Sequence, residues 1–121
     1  MKHILVALVL AAVPAAASAQ PVAVTLTEFK ITMARDTVSA GPVTFRVKNA
    51  GTMTHAIFVM NDTFEKGSVE IPAGQEASLT VTLKAGTYDV YCPVSDESHK
   101  KAGMTHKLVV TAAKPAPPKK P

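Results

Sequence analysis

Apolar residues recur at every second position through most of this chain, a period that suits strands and not helices. Val43, Phe45 and Val47 fall on one side of an extended segment, and Thr44, Arg46 and Lys48 on the other; a helix, with its period of 3.6, would mix the two sets. The alternation also runs through Val22, Val24 and Leu26, is continued by Phe29, Ile31 and Met33, and returns in Leu79, Val81 and Leu83 and in Tyr88, Val90 and Cys92. His55, Ile57 and Val59 share one face of a further segment, and Leu108 and Val110 point inward from a last strand over 107–111. A short extended piece at 36–40 is expected to stop at Gly41-Pro42. Residues 61–67 read as a loop with at most a helical turn, and 68–71 as a brief strand. With Gly, Pro and Asn turns between them, these segments predict an all-β domain, an antiparallel β-sandwich of about seven or eight strands without an amphipathic helix.

The ends of the chain follow other rules. Met1-Lys2-His3 is a basic start, residues 4–13 are unbroken apolar, and Ala17-Ser18-Ala19 supplies a small-residue cleavage site. This is the pattern of a signal peptide over 1–19; the apolar run falls short of the roughly 20 residues that span a bilayer. The expectation is export to the periplasm or beyond, with no membrane insertion after cleavage. It leaves one domain at 20–111, one core in size, and a disordered Pro/Lys-rich tail at 112–121. Lys2 apart, 12 basic residues stand against 9 acidic. That mild excess, with two arginines and no aromatic ladder, argues against nucleic acid as a partner.

Export gives weight to the single cysteine, because an oxidising compartment favours disulfides and one Cys cannot form one internally. Cys92 is followed within one loop by His99 and Met104, and His55 lies upstream. Taken singly, each has a plainer reading: a small buried hydrophobe, a solvated loop histidine, a packing methionine, a core histidine. Jointly they supply two imidazoles, a thiolate and a thioether. That set suits an ion cycling between Cu(I) and Cu(II), since sulfur favours the reduced form and imidazole accepts both.

The segments Phe45 to His55, Tyr91-Cys92 through Gly103-Met104, and Lys107 to Val110 resemble the cupredoxins, the small blue-copper proteins of the plastocyanin and azurin type. The order His, Cys, His, Met is theirs, and the resemblance covers nearly all of the chain beyond the leader. It implies a Greek-key sandwich, one type 1 copper per chain and a soluble one-electron carrier. By position, His55 and His99 would be the imidazole ligands, Cys92 the thiolate and Met104 the axial thioether. Three features depart from the family. Six residues separate Cys92 from His99 where two to four are usual, Pro93 has no N–H to offer the sulfur, and Ala56 stands where plastocyanins and azurins carry an asparagine that ties the ligand loops together.

His106 and Met53 are the competing donors, should the long loop draw His99 outward. The pairs Asp96-Glu97 and Lys100-Lys101 beside His99 suit a solvated loop tip or the electrostatic steering of a charged partner. Four functions compete. Electron transfer as a monomer between redox proteins, such as cytochromes or a terminal reductase or oxidase, is favoured by Cys92. Copper trafficking, storage or delivery is kept open by Met53, Met60 and the long loop. An enzyme is disfavoured, because the three histidines beyond the leader leave none for a further copper centre. A metal-free adhesive sandwich leaves the Cys, His and Met cluster without a purpose.

Overall fold

The computed structural model describes residues 19–113. The signal peptide expected at 1–19 and the tail expected at 112–121 lie outside the described residues, apart from their innermost positions. Among the described residues, nine strands form two sheets. The first has the order β2 (Lys30–Met33), β1 (Gln20–Thr27), β4 (Gly41–Asn49), β7 (Glu76–Leu83). The second runs β3 (Thr37–Ser39), β9 (Thr105–Thr111), β8 (Gly86–Tyr91), β5 (Phe58–Asn61), β6 (Phe64–Gly67).

The alternation read from the sequence decides which side chains meet between the sheets. Val22, Val24 and Leu26 of β1, Val43, Phe45 and Val47 of β4, and Val81 and Leu83 of β7 are buried. They form one core with Val59, Tyr88, Val90, Leu108 and Val110 of the second sheet. Each such side chain contributes about 1.5–3 kcal/mol on burial. On the outer face, polar residues pair across strands; Thr44 and Thr80, in register on β4 and β7, bring their hydroxyls within 2.9 Å. The Tyr88 hydroxyl is satisfied by donating to the Lys84 carbonyl at 2.8 Å.

Several details differ from expectation. The sandwich is mixed, because β1 pairs with β4 and β3 with β9 in parallel. After the β1–β2 hairpin the chain crosses to the second sheet for β3 and re-enters the first alongside β1 in the same direction. Side-chain alternation carries no information on strand direction. The piece expected at 36–40 is β3, which ends at Ser39 as expected, and Gly41-Pro42 in turn opens β4, where the missing N–H of proline is tolerated near a strand start. Residues 61–67 contain β6 instead of a loop, in a hairpin with β5 whose turn is held by Thr63 N–H on Asn61 Oδ1 at 3.0 Å. β6 is an edge strand, polar on both sides except for Phe64, so it has no alternation to read. The strand expected at 68–71 shrinks to one bridge, His55 with Ile71. Phe29 leaves the alternation at the tip of the β1–β2 hairpin, where it is 39% exposed. Among the described residues one short helix, α1 (Ser98–Lys101), interrupts the all-β pattern.

Candidate metal centre

One end of the sandwich gathers the predicted donors. His55 sits between β4 and β5 and exchanges backbone hydrogen bonds with Ile71, N to O at 3.1 Å and O from N at 2.7 Å. Cys92 follows the last residue of β8 and donates its N–H to the Met104 carbonyl at 3.1 Å, which sets the entry to β9 beside the cysteine. His99 lies on α1, and its carbonyl accepts the Met104 N–H at 3.0 Å. All four are buried, His55, Cys92 and Met104 completely and His99 with 2% exposed.

The three nearest donor atoms are His55 Nδ1, His99 Nδ1 and Cys92 Sγ. The nitrogens are 3.2 Å apart, and the sulfur lies 3.9 Å from His55 and 3.6 Å from His99. A point equidistant from all three is about 2.1 Å from each, inside the roughly 2.0–2.3 Å that imidazole nitrogen and thiolate sulfur need around a d-block ion. The set of one soft sulfur and two imidazoles in a near-trigonal triangle fits copper. Burial pushes the His55 imidazole below the usual histidine range, and the neighbouring His99 adds to this against the pull of Glu28. The ring is therefore neutral near pH 7 and has a lone pair to offer.

The long connection reaches His99 by an unusual route. Ser95, Asp96 and Glu97 all adopt positive φ, at 59°, 52° and 64°, and make a left-handed turn that leads straight into α1. Each non-glycine residue in that region costs about 1–2 kcal/mol. The turn takes up the extra residues locally, and the chain then folds back so that the imidazole points inward. Lys100 lies over the Tyr91 ring at 4.2 Å and pins α1 to β8. Gly103, at φ 116°, ends the helix in a conformation that other residues rarely adopt. The concern that six residues would carry His99 outward is thus met by the backbone.

His106 is not drawn in. It stands on β9 opposite Val90, half-buried, and is outside the His and Cys cluster. Met53 is 42% exposed on the loop before His55.

Two residues that sequence reasoning passed over hold the His55 side of the site. Asn49, fully buried at the end of β4, donates from Nδ2 to the Met53 carbonyl at 2.7 Å and the Ile71 carbonyl at 2.8 Å, and accepts the Gly51 N–H at 2.9 Å. These bonds fix the loop that delivers His55 to β4 and to Ile71, and none of them reaches the loop from Cys92 to Met104. The only sequence signal of Asn49 is its place in Asn49-Ala50-Gly51, one of the Asn and Gly turns between strands. Glu28, in the β1–β2 turn, accepts the N–H of Thr52 at 2.6 Å and of Met53 at 2.8 Å. These two bonds hold its carboxyl down to about 2.

The fold agrees with comparisons to known proteins. The model of the cupredoxin-like domain matches residues 2–110. Auracyanin of Roseiflexus castenholzii, in its dithionite-reduced form, is 19% identical with a TM-score of 0.62, over 79% of this chain and 99% of that one. Auracyanin A of Chloroflexus aurantiacus, described as a "blue" copper protein, is 24% identical with a TM-score of 0.59, over 75% and 99%. A multicopper oxidase, mgLAC, is 16% identical with a TM-score of 0.54 and aligns over 78% of this chain but 39% of its own. Among curated proteins, none matches. Likeness at such identities speaks for the architecture, and the match of the family model over most of the length goes further: this chain belongs to the cupredoxin-like domain family.

Proposed function

We propose that the protein is a blue-copper electron carrier, in which His55 and His99 would hold the ion through Nδ1, Cys92 through its thiolate and Met104 through its thioether. The observation that carries this reading is the buried triangle of two Nδ1 atoms and one Sγ with sides of 3.2 to 3.9 Å. Copper held there would supply a one-electron couple between Cu(I) and Cu(II). The protein's part is to keep the donors in place. Strands, the His55–Ile71 bridge and α1 fix them on a rigid frame, so little rearrangement accompanies a change of redox state.

The reading extends to a monomer exported to the periplasm, passing electrons between redox proteins such as cytochromes or a terminal reductase or oxidase. Asp96, Glu97, Lys100 and Lys101 would steer such a partner to the His99 end. Copper delivery is the second reading, supported by exposed Met53 beside the site. It is disfavoured by the burial of all four proposed ligands, since a donor that hands metal on must be reached by the acceptor. An enzymatic role is disfavoured because, among the described residues, His106 is the one histidine left for another centre.

Repeated electrochemical cycling in the presence of a Cu(I) chelator separates the two. A carrier keeps its copper and gives a reversible one-electron wave over many cycles. Loss of copper to the chelator on each reduction would favour delivery.

A further inference from the structure

His55 carries an unexplained atom. Its Nδ1 belongs to the donor triangle, but Nε2, on the other side of a ring with no exposed surface, has no hydrogen-bond partner. The nearest acceptor is Glu28 Oε1, at 3.4 Å, too distant for a well-formed bond. A buried N–H left unpaired costs about 1–3 kcal/mol.

The carboxylate is held at that spot by a built seat. The same oxygen accepts Thr52 N–H at 2.6 Å, Met53 N–H at 2.8 Å and the Thr52 hydroxyl at 3.3 Å. The seat exists because residue 51 is glycine: a Cβ there would lie 2.5 Å from Oε1 and 2.8 Å from Oε2. Glu28 spans from the β1–β2 turn to the loop that delivers His55, and its oxygen is left facing the ring. The next residue, Phe29, reaches the other imidazole, its ring 5.1 Å from that of His99 in an edge contact at 70°. Phe29 adopts φ 62°, a conformation a bulky residue seldom takes. One two-residue turn therefore touches both histidines of the triangle.

We propose that Glu28 is a positioning residue of the metal centre, accepting the Nε2 proton of His55 so that Nδ1 is the lone-pair nitrogen facing Cys92 and His99. This rests on the copper reading of the site and deepens it. Only a few tenths of an ångström separate the observed contact from a hydrogen bond. A carboxylate behind a ligating imidazole fixes its tautomer and raises its basicity, and loss of such a partner commonly lowers metal affinity about 10–100-fold. The added negative charge favours Cu(II) over Cu(I).

The test uses the purified protein and two substitutions. Glu28→Gln removes the charge with the shape nearly kept, and Gly51→Ala leaves Glu28 intact but pushes its carboxylate off the seat. Nitrogen NMR of the metal-free wild type should show His55 protonated at Nε2, with both variants losing that preference. After copper loading, each variant should bind Cu(II) at least about tenfold more weakly and have a more positive reduction potential. His55 protonated at Nδ1 in wild type, or variants with unchanged tautomer and a Cu(II) affinity within twofold, would overturn the assignment. Should a variant fail to fold, the wild-type tautomer still decides. Because it is measured without metal, a protein that bound no copper would defeat the copper reading and leave the Glu28 assignment to be judged on the tautomer alone.

Discussion

The Nδ1 atoms of His55 and His99 face each other across 3.2 Å, although 44 residues separate them in the chain. Two nitrogen lone pairs at that distance repel unless a proton or a cation lies between them. With Cys92 Sγ completing the triangle, the fold has spent burial and backbone strain on bringing three donors together, an arrangement that gains little without an ion.

Asn49 is predicted to be the main support of the His55 side. Asn49→Ala removes three hydrogen bonds from a fully buried position. Ile71 O keeps the His55 N–H, so part of the loss is covered. The expected destabilisation is about 2–3 kcal/mol, read from urea unfolding of the metal-free protein. A change below about 0.5 kcal/mol would show that the loop is held elsewhere.

The left-handed turn before α1 should be open to improvement. Glu97 has φ 64° and makes no side-chain cap to the helix it precedes. Glu97→Gly relieves about 1–2 kcal/mol of backbone strain, offset by about 0.4–1 kcal/mol for the greater freedom of glycine in the unfolded chain. The thermal midpoint should rise by a few degrees in a domain of this size. A fall would mean that the turn is not strained as its dihedral angles imply.

The two candidate C-terminal histidines separate cleanly by substitution. His99→Ala should lower copper affinity by more than about a hundredfold, since loss of an outer partner alone costs up to that much. His106→Ala should leave affinity within a few-fold, as His106 lies on β9 outside the cluster. The reverse result, measured by competition with a copper chelator, would move the ligand assignment to β9.

Much of this architecture was legible because burial follows a period of two. Val43, Phe45 and Val47 could only share a face, and the structure buries all three. The donors were legible as chemistry, since one Cys and one Met following a His, with a second His between them, have few joint explanations. Strand direction was not legible, nor was β6, whose Phe64-Glu65-Lys66-Gly67 has no apolar period because an edge strand buries little. The path to His99 depends on the φ angles of Ser95 to Glu97, residue types with no strong preference for the left-handed region apart from Asp96. Glu28 lay hidden for another reason: it is 27 residues from His55 in the chain, and only the β1–β2 hairpin brings them together.

The central claim is that Cys92, His55 and His99 hold one copper through a thiolate bond, and optical spectroscopy reads that bond directly. Cu(II) added to the purified protein should give an intense blue charge-transfer band and the matching EPR signal, both lost in Cys92→Ser. A wild-type protein that stays colourless with Cu(II) would contradict the account.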